Sequence, residues 1–274
     1  MNKPSKPLSL TVLICFLITS TGCARLKPEE YATYGYHGAV SYTEGERILP
    51  VDILGNIFGA LSKLILWNWK MERHWVREET QEAAKAYVEK NQAELGDVMV
   101  RFNEYAPIDS FRRLFANHEV KWPYKYTIGI LTTLISDTIM IDRIFGGDRY
   151  NPFTHTIHIH SDIPSVALHE LGHARDFAGR RYKGSYALLR MIPFTDLYQE
   201  YQASHIAFGY ITEEKMDQRK IEAYKILYPA YGTYAGGYFL IPYGSWAGAL
   251  IGHAIGRYEA HKFEGQLVAS AKKT

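Results

Sequence analysis

Apolar residues recur along this chain with different periods in different stretches, and each period predicts an element. Ile53, Ile57, Leu61, Leu64 and Ile65 fall at helical spacing, with Trp67, Trp69 and Trp75 following. Positions three and four apart share a helix face, so the stretch predicts a helix with one apolar stripe. Packing into the core is the favoured destination of that stripe; the second is the headgroup boundary of a membrane, where Trp clusters gather. Glu78 to Leu95 is rich in Glu, Ala, Lys and Gln and reads as an exposed helix. Asp97 to Asn103 predicts a short strand and Pro107 to Asn117 a helix. Tyr126 to Ile144 is apolar and β-branched with Asp137 and Asp142 inside it, which leaves helix and strand both open.

Mid-chain the period drops to two. Asn151-Pro-Phe-Thr-His-Thr-Ile-His-Ile-His160 alternates and is rich in β-branched residues, which predicts a strand with His158 and His160 on one face and His155 on the other. A second metal pair on that face is geometrically possible, but side chains flanking a substrate groove are the favoured reading. Ser161-Asp162-Ile163-Pro164 then offers an N-cap candidate and an early-turn proline. Val166, Ala167, Leu168 and Leu171 continue as apolar helix residues.

A third pattern marks the C-terminal region. Between Ala235 and Ile255 the only ionisable side chains are Tyr238, Tyr243 and His253, and Gly244, Gly248, Gly252 and Gly256 recur every fourth residue. Glycine at that period gives a helix a groove into which another backbone fits. A continuous helix of this length would extend about 31 Å, enough to cross a bilayer. Pro242 argues for a break, leaving a Gly-striped helix from about Tyr243 to Tyr258 that is too short to span alone. A buried or membrane-surface helix is the favoured reading, a spanning or re-entrant one the second.

Composition changes the picture mainly at the N-terminus. Lys3 and Lys6 form a basic region, Leu8 to Ile18 is an eleven-residue apolar run, and Thr19-Ser20-Thr21-Gly22-Cys23 ends in a small residue before cysteine. The segment resembles a bacterial lipoprotein signal, with Ser at position 20 where such signals usually carry Leu. The resemblance implies removal of 1–22, lipidation of Cys23, and a place in the bacterial cell envelope, anchored to a membrane. Cys15 would leave with the signal, so no thiol would remain for a disulfide or a metal. Without Lys3 and Lys6 the 31 basic residues fall to 29, against 29 acidic ones. A neutral chain with no basic stripe gives no sign of nucleic-acid binding. With 47% hydrophobic residues, about 250 residues can build a core. Organisation follows: a signal over 1–22, a polar, Tyr/Gly-rich anchored arm over 23–50, and one mostly helical α+β domain over 51–274 that includes a Gly-rich apolar segment, 232–258.

The strongest chemical signal is His169-Glu170-Leu171-Gly172-His173. On a helix His169 and His173 share a face and can both point at one ion, with Glu170 beside it. These residues, with the preceding strand, resemble the zincin metallopeptidases over about Asn151 to Ser204. The resemblance implies zinc bound by His169 and His173, Glu170 as general base, and an edge strand that pairs with an extended peptide or protein substrate.

The third ligand is argued by spacing. A metzincin would need Gly at 176 and His at 179, but Asp176 and Gly179 stand there. A gluzincin takes a Glu from a second helix, in the pattern E-x-x-A-D. Glu200-Tyr-Gln-Ala203-Ser204 matches it except that Ser204 replaces the Asp that hydrogen-bonds a ligand His. Glu200 is the first candidate, Glu222 the second, with His205 and Asp176 behind. A water in the fourth position would be acidified by zinc to a pKa of about 7, and Glu170 would move its proton to the leaving amine. His205, Tyr210, Tyr224 and Tyr228 are the candidates to stabilise the oxyanion. The leading expectation is therefore a membrane-tethered zinc peptidase acting on envelope proteins or peptides. The alternative is a non-catalytic envelope lipoprotein with a structural zinc site and a glycine-lined membrane or assembly interface.

Overall fold

The computed structural model describes residues 40–239 and 243–272; the signal segment, Cys23, most of the expected arm and Pro242 lie outside the described residues. Four short strands form one mixed sheet: β1 Ser41–Glu44, β2 Met99–Phe102, β3 Arg149–Asn151 and β4 Thr156–Ile159, in the order β1-β2-β4-β3. β1 and β4 both run parallel to β2, with Ser41 and Thr156 opposite Met99, while β3 pairs antiparallel with β4. β1 thus carries the last part of the expected arm into the sheet.

The strand expected over 151–160 is a hairpin. Asn151 ends β3, the chain turns with His155 at φ 51°, and β4 follows. β4 is hydrogen-bonded on both sides, so the expected edge strand is an internal one and its backbone has no free side for a peptide. Alternation does not distinguish the two cases, because side chains alternate whether or not a strand has two neighbours. All four residues of β4 are buried, and its polar side chains sit among partners: His158 Nε2 is 3.9 Å from Asp137 Oδ2.

The described residues include nine regular α-helices of seven or more residues. They are α1 Leu49–Phe58, α2 Ala60–Leu66, α3 Glu78–Leu95, α4 Pro107–Ala116, α5 Pro164–Ala178, α6 Lys183–Leu189, α7 Thr195–Glu213, α8 Asp217–Gly237 and α9 Gly244–Ala271. The chain is α+β and mostly helical, as its patterns predict. The open stretch over 126–144 is helical, with wide π turns at Lys125–Gly129, Ile135–Ile139 and Ile141–Phe145 around α turns.

The core centres on α5, in which every residue except His169 and Arg175 is buried. A helix buried on nearly every side lies inside a domain, and α5 packs against α3, α7, α8 and the sheet. α3 is less exposed than its composition suggests, since Ala84, Tyr87, Val88 and Leu95 pack into the core.

The glycine stripe is used by a helical hairpin. α8 and α9 lie against each other along their length. A Cβ at Gly248 would collide with the Gly232 carbonyl, and one at Gly236 with the Gly244 carbonyl. No single described helix is long and apolar enough to cross a membrane.

α1 and α2 depart from the core expectation. Ile53, Leu54, Ile57, Phe58, Leu61 and Leu64 are 45% to 61% exposed. The chain bends by 46° between the two helices, at Gly59, where a side chain would collide with Glu72 and Lys63. Helical spacing predicts an apolar face but not which way the face points.

Candidate metal centre

The helix carrying the motif starts at Pro164, but the expected cap residues do other work. Ile163 holds the N-cap position without a side-chain hydrogen bond. Asp162 accepts from the Arg77 backbone N–H and from Thr80 Oγ1, at the start of α3. Glu222 fills the gap: its Oε1 accepts the Ser165 backbone N–H at 3.0 Å. An anion at a helix N-terminus satisfies a free donor and the helix dipole together. Glu222 is therefore engaged at the start of α5 and does not line the motif pocket.

Glu200 is where the second-helix pattern puts it. One of its carboxylate oxygens lies 3.1 Å from His169 Nε2 and the other 3.4 Å from His173 Nε2. Ser204 Oγ lies 3.1 Å from His169 Nδ1. One turn separates Glu200 from Ser204, so both face α5. The approach of the two helices depends on Gly172, inside the motif: a Cβ there would run into the Ala203 carbonyl. His169, Glu170 and His173 are placed so that one donor atom from each lies within 4.8 Å of the others, a buried group that could bind a metal ion.

Charge in this cluster is balanced by a residue the sequence patterns do not single out. Arg190, between α6 and α7, donates from Nη2 to Glu200 Oε1 at 2.6 Å. Its one signal in the sequence is isolation, as the only charged residue between Lys183 and Asp196. Burial opposes the charged form of Glu200, but His173, Arg190 and the hydrogen bonds from both imidazoles outweigh it and hold the carboxyl well below its ordinary range. Burial drives His173 down to about 4, so its ring is neutral at pH 7 and has a lone pair to offer a metal. Burial also lifts the Glu170 carboxyl to about 7.

His169, Glu170, Glu200 and Ser204 line one pocket of about 320 Å³. Ser62 and Leu66 of α2 form part of its wall, and Tyr231 and Tyr234 of α8 another. These tyrosines, and not the four donors expected from the sequence, reach the site. Tyr210 packs edge-on against Tyr87 in the core. His205, Tyr224 and Tyr228 line a separate, mainly apolar groove of about 800 Å³, which meets the metal pocket at Ser204, Leu227 and Tyr231. Asp176 is occupied by Arg180 and Tyr186. The strand histidines also lie apart: His155 bonds Tyr150 and the Leu95 carbonyl, and His160 bonds Asn103. Comparison with known protein families, curated proteins and solved structures finds no match to this chain.

Proposed function

We propose that this chain is a zinc-dependent metallopeptidase with a zincin-like core, held at a membrane through Cys23 and acting on envelope proteins or peptides. The observation that carries the reading is the meeting of His169, His173 and Glu200 around one point with Glu170 alongside. Two neutral-capable imidazoles and a carboxylate are a donor set suited to zinc, and Ser204 orients the first imidazole from behind. When bound, zinc would supply Lewis acidity to water and to the scissile carbonyl.

The chain's own residues account for the proton. Glu170 takes it from the attacking water as the new C–O bond forms, then delivers it to the amine nitrogen as the C–N bond breaks. Tyr231 and Tyr234 line the pocket and would be the donors to the developing oxyanion. The apolar groove beyond Ser204 suits an apolar stretch of peptide.

Metal content per chain tests the site. One zinc in the parent and in Glu222→Ala, lost in His173→Ala and Glu200→Ala, is the expected pattern. Glu170→Gln is expected to keep zinc and lose peptide hydrolysis. No zinc in the parent, or full turnover by Glu170→Gln, would overturn the reading.

A further inference from the structure

The segment from Ile48 to Leu66 has its charges inside and its apolar side chains outside. Its only charged residues are Asp52 and Lys63, and both are buried. Asp52 pairs with Arg143 at 2.8 Å, and Lys63 donates to the carbonyls of Asn56 and Glu72. What faces outward is Ile53, Leu54, Ile57, Phe58, Leu61 and Leu64, with Asn56 the one polar exception inside the helices. A helix facing water has the opposite polarity.

The apolar surface continues onto the π-turn segment. Phe58 and Phe145 rings lie 4.6 Å apart, and Leu134, Ile135, Ile139 and Ile141 are exposed on the same stretch. Two of its charged residues turn inward as well: Asp137 and Arg143 are buried. Aromatic and cationic pairs flank the face. Arg47, just before Ile48, lies 4.0 Å over the Trp75 ring, and Arg257 lies 4.6 Å over Trp67, just after Leu66. Trp69 is 73% exposed beside them. Apolar centre with Trp and Arg at the margins is the composition of a surface that sits at the headgroup boundary.

We propose that the outward face of α1, α2 and the π-turn segment docks on a lipid bilayer, as a contact separate from the Cys23 anchor. α1 and α2 together have the length and composition of a membrane-entering segment, bent at Gly59. The described chain begins at residue 40, nine residues before α1, and the sequence ahead of it carries the apolar run Leu8 to Ile18 and Cys23. A lipid on Cys23 would hold the domain within reach of a bilayer. The opposite face of α2 carries Ser62 and Leu66 on the metal-pocket wall, so docking sets that pocket beside the membrane surface. The inference stands whether or not the pocket hydrolyses peptides.

The test uses the full chain with Cys15→Ser and Cys23→Ser and one new cysteine, Ile57→Cys, carrying an environment-sensitive fluorophore. Glu82→Cys, on the exposed side of α3, is the control. On vesicles of phosphatidylcholine and phosphatidylglycerol, the label at 57 is expected to shift to shorter wavelength and to be quenched by brominated acyl chains, and the label at 82 to remain in water. Adding Leu54→Glu and Leu61→Glu is expected to abolish the shift at 57. A label at 57 that stays in water on vesicle-bound protein overturns the proposal. So does one shielded without vesicles, whether by a second copy at rising concentration or by the chain's own N-terminal segment in a monomer.

Discussion

Ser204 Oγ lies 3.1 Å from Nδ1 of His169, and that contact leaves Nε2 of the same ring facing Glu200. An imidazole has only two nitrogens, so a partner on one decides which is offered to a metal. Ser204→Ala removes the orienting group without touching a ligand. Metal affinity is expected to fall by about 10-fold or more, the usual effect of deleting such a partner. Chelator competition would measure it, and affinity equal to the parent's would show that Ser204 is a bystander. Ser204→Asp, which puts a carboxylate behind the same nitrogen, is expected to bind at least as tightly as the parent.

Arg190 holds Glu200 but also puts a positive charge beside the proposed metal site. Glu200 has two further partners in His169 and His173, so its position does not depend on Arg190 alone. Repulsion is then the larger effect, and Arg190→Met is expected to tighten divalent metal binding by about 10-fold, equivalent to ~1.4 kcal/mol. Weaker binding in the same titration would mean that orientation of Glu200 matters more than charge.

Gly172 lets α7 approach the motif helix closely enough for Glu200 and Ser204 to reach His169. Gly172→Val introduces a side chain against the Ala203 carbonyl, and the helices must separate. Overpacking of this kind typically costs ~1–3 kcal/mol. Metal affinity and thermal stability are expected to fall together in this variant, whereas Gly265→Val, at a position with open space around it, is expected to change neither. A Gly172→Val protein with parental metal affinity would refute the link between helix spacing and the site.

Asp52 and Arg143 tie α1 to the π-turn segment across a buried contact. Burial raises the Asp52 carboxyl, but the hydrogen bonds from Arg143 and Asn103 and the charge of Arg143 outweigh it and hold it below its ordinary value. A depressed folded value means that this stabilisation is complete above the unfolded pKa, about 4, and is lost as the pH falls through the folded one. Asp52→Asn leaves Arg143 buried without its counter-charge, and at pH 7 it is expected to cost about 3–5 kcal/mol. The difference from the parent should shrink below about pH 4. Denaturant titrations at pH 3, 5 and 7 would show this, and a difference unchanged by pH would remove Asp52 as its source.

Local facts were legible in the chain: α3, α4 and α5 stand where composition and periodicity predict them, and His169 and His173 share a face because four residues make about one helical turn. The spacing from Glu200 to Ser204 was readable for the same reason. Tertiary structure decided everything that depends on which surfaces meet. It chose Glu200 over Glu222 beside the imidazoles, because α7 crosses α5 at Gly172 while Glu222 reaches only the start of α5. It brought Arg190 to the site from a turn with no motif, and it put β4 inside the sheet although its alternation reads the same at an edge. It also turned the apolar stripe of α1 and α2 outward and folded the glycine stripe into contact with α8. Periodicity records which residues share a face; only the packing of the whole chain assigns that face a neighbour.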